Sequence, residues 1–321
     1  MIICLAANPS VDKLFEIERL EPGSIHRPDG FVQVAGGKGL NVARAAHALG
    51  GDVRAVAMLR GHTGKWLEEM LAAEGVGGAF VWTHGESRAS LSVADRETGG
   101  LTEFYEHGSE VPEASWVETV QAVAQLLPGA DWLTISGSLP SGAPIEGYRE
   151  VVAEARAAGV RVALDSEGER LRFALWGGPD VVKVNAREAG ELLDLRTGTR
   201  AGAVTAAREL RERSGGEGHA GLVTRGADGV VLAAPDGSCW EGRLYVRGRY
   251  PVGSGDSFLA GLVVALDRSD DRGDERGDDD WGEALQLALG AATANAELAG
   301  AGRLEPARAM ALAAQAEIRP I

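Results

Sequence analysis

Residues 160–194 read "VRVALDSEGERLRFALWGGPDVVKVNAREAGELLD" and contain two short apolar runs, each followed by a segment of helical length. The runs "VRVALDS" and "VVKVN" are rich in β-branched residues, whereas the segments 169–176 and 186–194 have helical spacing of their apolar residues. Such alternation is typical of βα units, in which parallel strands are covered by helices. This stretch therefore predicts part of an open α/β sheet.

The same alternation runs through much of the chain. Three more apolar runs each precede a helical segment: "IICLAA" before 38–49, "VRAVAML" before 64–74 and "DWLTIS" before 145–158. We expect a three-layer α/β/α fold, in which a mainly parallel sheet lies between two layers of helices. The 321 residues, of which 45% are hydrophobic, suit one large domain over residues 1–321.

Two stretches depart from this rhythm. Residues 12–35 and 87–106 alternate apolar and polar positions around Pro-Gly and Gly-Gly turns. This pattern suits antiparallel strands with one solvated face. We expect them to form a small inserted β-sheet over the carboxyl edge of the main sheet, where ligands of open α/β folds bind. That sheet would be a lid over the ligand or a dimer contact.

Charge excludes one class of partner and marks one loop. The formal net charge is −15 and the basic residues are scattered, so nucleic acid is excluded as a partner. Residues 267–280, "DRSDDRGDERGDDD", are almost wholly charged and are predicted to be a solvated loop between two helices. They lack the turn glycine and terminal glutamate of a calcium loop.

The remaining bulk features point to a cytoplasmic protein. Cys4 and Cys239 lie far apart without CxxC spacing, so neither a disulfide framework nor a zinc site is indicated. We expect both to be inert thiols in apolar strands. The opening "MIICLAAN" has no basic region and is too short for a signal peptide, and no later stretch is long and apolar enough for a membrane helix.

A glycine-rich segment begins a helix near the end of the chain. In "PVGSGDSFLAG", residues 251–261, the small residues Gly253, Ser254 and Gly255 precede Asp256 and an apolar helix. Unpaired amides and the helix dipole make such a helix start an anion hole. An ordinary tight turn capped by Asp256 is the alternative.

A second glycine-rich segment, "AGGKGLNVARAAHALG" at residues 35–50, begins a helix in the same way. Gly36 and Gly37 allow a ligand to approach the backbone closely, Lys38 adds a cation and Asn41 adds an amide. The GxxxxGK[ST] and GxGxxG spacings are absent, which disfavours a P-loop or dinucleotide-binding enzyme. Two anion sites suit a reaction between two phosphorylated molecules.

Three further motifs each have two interpretations. In "NPSVD", Asp12 can accept hydrogen bonds from vicinal hydroxyls or belong to an Asx turn. In "VVKVNAREAGELL", Asn185 and Glu188 after Lys183 can hold magnesium-bound water or form a capping box. The loop of "GLVTRGADGVVL" can lie against a nucleotide or simply close a hairpin.

Taken together and in order, these motifs resemble those of the ribokinase-like (PfkB-type) carbohydrate kinases. The motifs are "NPSVD", "GGKGLNVA", "SGSLPSG", "VNARE", "TRGADG" and "PVGSGDSFLAG", and they span nearly the whole chain. Within the family, the chain is most similar to the branch of phosphosugar kinases that contains 1-phosphofructokinase and tagatose-6-phosphate kinase.

The resemblance implies a role for each matching residue. Asp256 would be the catalytic base, and the amides of Gly253, Ser254 and Gly255 would form the anion hole for the migrating phosphoryl group. The substrate-binding positions would be Asp12, Gly36, Gly37, Lys38, Asn41, Arg88 and Ser138, with Lys38 and Arg88 holding the substrate's own phosphate. The ATP-binding positions would be Lys183, Asn185, Thr224, Gly226 and Gly229, with Glu188 and Asn185 organising Mg²⁺ through water.

The resemblance also implies an activity and an assembly. The activity would be ATP- and Mg²⁺-dependent phosphorylation of a ketohexose monophosphate, with fructose 1-phosphate as the leading substrate, by a homodimer formed through the lid. A tagatose-6-phosphate kinase or another PfkB-type sugar kinase is the alternative. A catalytically silent sensor of sugar phosphate or nucleotide is the non-enzyme alternative, but such a protein would have lost the base or the glycines that this chain keeps.

Several positions depart from the usual spelling of the branch. The chain has "KVN" for "KPN", "TRG" for "SLG", and His107-Gly108 for a Pro-Gly pair after the lid hairpin. Ser254 replaces the commoner alanine, and Pro251 replaces a threonine near a monovalent-cation loop. The identity of the sugar and the requirement for potassium therefore stay open at the level of sequence.

Overall fold

The computed structural model describes residues 1–271 and 278–321. The strands are β1 Ile2–Ala6, β2 Ser10–Ile17, β3 Gly30–Gly36, β4 Val53–Arg60, β5 Gly78–Thr83, β6 Arg88–Asp95, β7 Leu101–Tyr105, β8 Trp132–Ser136, β9 Arg161–Asp165, β10 Val181–Asn185, β11 Ala220–Thr224, β12 Val230–Ala233, β13 Cys239–Arg243 and β14 Glu317–Pro320. The α-helices are α1 Lys38–Ala48, α2 Gly61–Ala73, α3 Glu113–Leu126, α4 Gly147–Ala157, α5 Gly168–Leu175, α6 Ala186–Leu193, α7 Arg200–Ser214, α8 Ser254–Asp271, α9 Asp278–Glu297 and α10 Pro306–Ala313. A short 3₁₀ helix, Gly226–Asp228, lies between β11 and β12.

The main sheet is mainly parallel, as the sequence predicts. Its strand order is β14-β13-β12-β11-β10-β9-β8-β1-β4-β5. Every pair from β5 to β11 is parallel, and the last three strands extend the sheet antiparallel from β11. The "TRGADG" stretch is thus the loop of an antiparallel hairpin between β11 and β12.

Helices cover both faces of this sheet. Along β1, Ile2 and Cys4 pack in a core with residues of α1, α8 and α9, whereas Ile3 and Leu5 pack in a second core with residues of α3, α4 and α7. A parallel strand buried on both faces is accordingly apolar at consecutive positions rather than at alternate ones. The predicted three-layer α/β/α arrangement is confirmed. Both cysteines are unpaired and buried in strands, as expected.

A small separate sheet has the order β3-β2-β6-β7. The pairs β2·β3 and β6·β7 are antiparallel, as the alternating pattern predicts, but β2 and β6 pair in parallel. The reason is topological: β2 follows β1 and β6 follows β5, so both leave the same edge of the main sheet in the same direction. Their polar positions, which include Asp12 and Ser90, line the cleft described below.

Both ends of the acidic segment 267–280 are helical, although its composition predicts a loop. Helix α8 continues to Asp271 and α9 begins at Asp278, while residues 272–277 of the predicted loop lie outside the described residues. The prediction was wrong at both ends because, once a helix is nucleated, each further residue adds a backbone hydrogen bond even where side chains are polar. Among the helices of the described ranges, none has the length and hydropathy to cross a membrane.

Candidate active site

A cleft of about 1470 Å³ lies at the carboxyl edge of the main sheet. Its lining includes the last residues of β8, β10 and β11, namely Ser136, Asn185 and Thr224, together with the start of α8 and one face of the small sheet. Parallel strands end at one edge, so motifs that are far apart in sequence meet there. All the predicted site residues line this cleft except Gly36. Gly36 lies behind it, where a Cβ atom would come within 2.0 Å of the Asp12 carboxylate.

Asp256 is a buried carboxyl group in the first turn of α8. Its Oδ2 accepts a hydrogen bond of 2.9 Å from the Asn41 side-chain amide of α1. Burial raises the pKa of Asp256 to about 7, with Asp165 raising it further and the ammonium groups of Lys38 and Lys183 lowering it. A carboxyl group with such a pKa accepts a proton readily near neutral pH.

The backbone before Asp256 is shaped by one glycine. Gly253 has φ +81°, and a Cβ atom there would lie 2.7 Å from Ala301, so the chain requires glycine on both counts. The Ser254 N–H donates to the Pro251 carbonyl at 3.1 Å, whereas the N–H groups of Gly255 and Asp256 belong to a first helical turn, which has no intrahelical acceptors. The α8 start therefore offers amide donors to an anion.

A buried carboxylate joins two lysines next to this helix start. Asp165, at the end of β9, accepts from Lys183 Nζ at 2.5 Å and from Lys38 Nζ at 3.0 Å. Burial acts to raise the pKa of Asp165, but the two ammonium groups outweigh it and the pKa lies below its usual value. Lys183 Nζ also lies 2.9 Å from the position that a Cβ of Gly255 would occupy. Positive charge is thus held close to the amide donors of α8.

Lys38 is already paired in this structure. Besides Asp165, its Nζ lies 3.5 Å from Glu188 Oε1. Burial acts to lower the pKa of Lys38, but the carboxylates of Asp165, Glu188 and Asp256 raise it above the ordinary value. Lys38 lines the cleft as predicted, yet its contact with a substrate phosphate stays a prediction.

Arg88 is a cleft cation with neutral partners. Its Nε and Nη2 donate to the Asn8 carbonyl at 3.3 and 3.2 Å, and its Nη1 donates to Ser90 Oγ at 3.3 Å. Ser138, the other predicted phosphate contact, accepts a hydrogen bond of 3.1 Å from the Asn8 side chain. The guanidinium group of Arg88 is therefore placed to bind an anion in the cleft.

Asp12 lies over the start of α1. Its carboxylate accepts hydrogen bonds from Ser10 Oγ at 2.5 Å and from the Gly37 N–H at 3.2 Å. Burial raises the pKa of Asp12, and those two hydrogen bonds act against the shift. Gly37 has φ +86° and begins α1 within the predicted sugar-binding loop. A buried carboxylate among small residues can accept hydrogen bonds from hydroxyl groups of a ligand.

On the predicted nucleotide side of the cleft, Asn185 and Glu188 form a capping box, which is one of the two interpretations of their motif. Asn185 Oδ1 accepts from the Glu188 N–H, and Glu188 Oε2 accepts from the Asn185 N–H, both at 2.9 Å. This leaves Glu188 Oε1 next to Lys38. Across from it, Gly226 and Gly229 take φ +58° and +87°, and Thr224 ends β11. Their backbones border the cleft without side chains that would fill it.

Sequence reasoning missed two kinds of site residue. Asp165 was visible in the run "VRVALDS", where a carboxylate ends a buried strand. Its role as the link between two lysines, however, depends on β9 meeting both β10, which carries Lys183, and the start of α1, which carries Lys38. The apolar wall of the cleft was also missed. It comes from the β13–α8 connection, from α8 and from α9, through Leu244, Val246, Phe258, Leu289, Ala292 and Ala296. Apart from Phe258, which lies within "PVGSGDSFLAG", these residues belong to none of the motifs and have the apolar side chains of ordinary core positions.

A buried amide supports the α8 start from α9. Asn295 Oδ1 accepts from the Gly302 N–H at 2.8 Å and from Ser257 Oγ at 3.2 Å. Its Nδ2 donates to the Val252 carbonyl at 2.9 Å and to Ser254 Oγ at 3.3 Å. The single side chain thereby holds both loops that flank the helix start.

The sequence and the fold of this chain are similar to those of known proteins. Residues 6–308 match the family described as pfkB family carbohydrate kinase. The chain belongs to the PfkB family of carbohydrate kinases. This confirms the resemblance inferred from the motifs and makes the chain a phosphotransferase with an alcohol group as acceptor.

Relatives of this PfkB kinase include two proteins named 1-phosphofructokinase. One, from Haloferax volcanii, is 34% identical over 266 residues, which cover 83% of this chain and 84% of that protein. The other, from Xanthomonas campestris, is 30% identical over 280 residues, which cover 82% and 83%. A structure of phosphofructokinase-2 from Escherichia coli, solved in complex with potassium, matches with a TM-score of 0.86 at 26% identity over 98% of both chains.

Proposed function

We propose that this PfkB kinase transfers the γ-phosphoryl group of ATP to the free primary hydroxyl of fructose 1-phosphate, giving fructose 1,6-bisphosphate. The observation that carries the proposal is the position of Asp256, a buried carboxyl with a pKa of about 7 at a helix start, in one cleft with Arg88 and the Thr224 loop. Its relatives named 1-phosphofructokinase support the choice of sugar.

Asp256 would act as the general base. The substrate hydroxyl would lie within hydrogen-bond distance of its carboxylate and lose its proton to it as attack proceeds. The Asn41 amide holds the carboxylate at Oδ2, leaving Oδ1 for the hydroxyl. Because the pKa is close to neutral, the same group can later release the proton to solvent when the product leaves.

The start of α8 would stabilise the phosphoryl group during transfer. The N–H groups of Gly255 and Asp256 and the ammonium of Lys183 lie together there, and fixed donors of this kind favour charge that develops on the transferred group. The Asp165 carboxylate keeps Lys183 in place through a 2.5 Å hydrogen bond.

The residues present fit ATP and Mg²⁺. At Gly226 nothing lies within 4 Å of the position that a Cβ would occupy, so its backbone is open to a ligand, and the apolar wall suits a base. Glu188 is a buried carboxylate with one oxygen free of backbone donors, which with Asn185 would hold Mg²⁺ through water. When bound, ATP would supply the phosphoryl group, and Mg²⁺ would neutralise part of the negative charge of the ATP phosphates.

A substrate panel tests the proposal. ADP release is measured with fructose 1-phosphate, tagatose 6-phosphate, fructose 6-phosphate and free ribose, in potassium and in sodium buffers because the Escherichia coli relative was solved with potassium. We expect the highest kcat/KM with fructose 1-phosphate. If turnover were highest with tagatose 6-phosphate, that sugar would replace fructose 1-phosphate as the assigned substrate. If it were highest with free ribose, the proposal would be overturned.

We further propose a cytoplasmic homodimer that pairs through the small sheet. Phe31 and Phe104 are 55% and 56% exposed, and the register of the strands puts them on the face away from Asp12. Exposed aromatic residues on one sheet face favour a protein contact. Two unpaired thiols suit a reducing compartment. The Escherichia coli phosphofructokinase-2 has a tetrameric inhibited form. The test of this proposal therefore measures how many chains the assembly contains in solution.

A further inference from the structure

Arg60, the last residue of β4, is a fully buried cation with few partners. Its Nη1 donates to the Ser109 carbonyl at 2.5 Å, whereas Nε and Nη2 are buried without any hydrogen-bond partner. Within the described part of the chain, no carboxylate forms a salt bridge with it. The other buried arginine nearest in sequence, Arg44, is in contrast paired with Glu74.

A buried and unpaired guanidinium is costly in free energy, so buried arginines are normally paired with an anion. Burial lowers the pKa of Arg60, and the positive charge of Arg88 lowers it further. The carboxylates of Asp12 and Glu106 act on Arg88, but they form no ion pair with Arg60. In the described part of the chain, no carboxylate forms a salt bridge with either guanidinium group, although Asp12, Glu106 and Glu110 line the cleft nearby.

The position of Arg60 connects it to the cleft. Ser87, the neighbour of Arg88, accepts a hydrogen bond from the Arg60 N–H through Oγ and donates its own N–H to the Arg60 carbonyl. Ser109 belongs to the segment 106–110, of which His107 and Gly108 line the cleft beside Arg88. Arg60 does not line the cleft itself, so it lies behind this segment.

We propose that Arg60 is a positioning residue for the phosphate that the sugar substrate carries: from behind segment 106–110 its charge favours the anion that Arg88 contacts, and its hydrogen bond to Ser109 holds the segment in place. The inference rests on the proposed function, because it takes a phosphorylated sugar as substrate. It gives a reason why a chain of net charge −15 binds a dianion at this end of the cleft.

Three variants separate charge from hydrogen bonding. Arg60→Gln keeps a donor for the Ser109 carbonyl and removes the charge, whereas Arg60→Lys keeps the charge. Arg54→Gln is the matched control, since Arg54 lies on the same strand but is exposed and paired with Asp52. For each we measure KM and kcat for the phosphosugar, KM for ATP, and the rise in Tm caused by inorganic phosphate.

We expect Arg60→Gln to raise KM for the phosphosugar about tenfold and to lose most of the stabilisation by phosphate, with kcat and KM for ATP within about twofold, because one unit charge in a partly buried site has an effect of this order. Arg60→Lys should stay within about threefold of the wild type, and Arg54→Gln should not change. Equal affinities in Arg60→Gln and the wild type would overturn the inference, and so would equal losses in the Gln and Lys variants.

The phosphate titration keeps this test separate from the proposed function. It needs no turnover, so loss of stabilisation in Arg60→Gln supports the inference even if the wild type phosphorylates a different phosphosugar. If Arg60→Gln fails to fold, Arg60→Lys is decisive, because a threefold or smaller change supports the role of charge and a large rise in KM for the phosphosugar and for ATP alike contradicts it.

Discussion

At the scale of single residues, the site depends on how buried charges are balanced. Asp256, Asp165 and Glu188 face the ammonium groups of Lys38 and Lys183 in one connected cluster. Asp165 and Asp256 are both buried, but Asp165 pairs directly with both ammonium groups whereas Asp256 forms no salt bridge with either, so burial raises the pKa of Asp256 alone of these two. The carboxyl group proposed as the base is thus distinguished by its surroundings rather than by its own chemistry.

The raised pKa of Asp256 predicts a pH dependence. The base must be ionised, so kcat/KM should rise with pH through an acidic limb near pH 7 and level off above it. Asp256→Asn should lower kcat by at least about 10²-fold and remove this limb. Steady-state kinetics measured from about pH 5.5 to about pH 9 cover both this limb and the plateau above it.

Stability measurements check the same carboxyl group without activity. A carboxyl whose pKa is higher in the folded state holds its proton there while the unfolded chain has released it, so stability falls as pH rises from about 4 to about 7. Asp256→Asn removes that loss, and its Tm at pH 8 should equal or exceed that of the wild type. Asp236→Asn, an exposed turn carboxyl, is the control. A wild-type rate in Asp256→Asn would contradict the base role.

The sequence could predict which residues meet in the cleft, but not how they pair. Motifs at the ends of neighbouring parallel strands necessarily share one edge, which is why all but one of the predicted residues line it. Lys38 shows the limit. Its type and position indicate a phosphate contact, yet its ammonium pairs with Asp165 and Glu188, and that choice depends on a carboxylate from β9 that no motif marks.

At the scale of elements, the decisive contact is that between α8 and the loop that follows α9. The four hydrogen bonds of Asn295 hold the loop before α8 and the loop at Gly302 together. Gly302 in turn lies against α1, where a Cβ would be 2.8 Å from Asn41 Cα. The two glycine-rich helix starts are therefore joined by the Asn295 amide through the Gly302 loop, in addition to the direct hydrogen bond between Asn41 and Asp256.

This arrangement predicts a large effect of Asn295→Ala. The change leaves the buried Gly302 N–H and the partly buried Val252 carbonyl without this partner, and a buried unpaired group costs about 1–3 kcal/mol. We expect urea denaturation to show a loss of at least about 2 kcal/mol in the free energy of unfolding, together with a lower kcat.

Gln286→Ala on the same helix serves as the control, since Gln286 is only partly buried. It should change the free energy of unfolding by less than about 0.5 kcal/mol. A stable Asn295→Ala variant with full activity would show that the two loops are held by other contacts.

The spacing of apolar residues along the sequence could predict the helices and strands, because that spacing depends on whether one or two faces of an element are buried. It could not predict the parallel pairing of β2 with β6, which depends on where each hairpin leaves the main sheet. Nor could it predict that α8 continues into the acidic segment up to Asp271, because charged turns extend a helix that apolar residues have already started.

At the scale of the whole molecule, the small sheet has two faces with different surroundings. One face carries Asp12, Ser90 and Tyr105 toward the cleft, and the other carries Phe15, Phe31 and Phe104. Phe15 and Phe31 are in ring contact, with centroids 5.6 Å apart. A partner chain on the second face would therefore stiffen the sheet that covers the substrate.

The double variant Phe31→Asp/Phe104→Asp tests this assembly. Wild-type protein should elute in size-exclusion chromatography with light scattering at twice the mass of one chain, and the double variant at the mass of one chain, because a charged side chain at the centre of an apolar contact is costly. KM for the phosphosugar should rise in the monomer, since its covering sheet would be less ordered.

Trp176→Asp is the control for surface charge, because Trp176 is exposed at the end of α5, away from the small sheet. It should leave the mass unchanged. A monomeric wild type, or a dimer that survives the double variant, would place the proposed contact elsewhere.

The hydrogen bond between Asn41 and Asp256 joins residues 215 positions apart. During synthesis from the N-terminus, every parallel strand of the main sheet is made by Thr224, before the ribosome reaches the base or the helix that carries it. A growing chain can therefore complete early the strands that carry the proposed sugar-binding residues, whereas the proposed base and anion hole are added only with the last quarter of the protein. If the proposed roles hold, unfinished chains should not hydrolyse ATP.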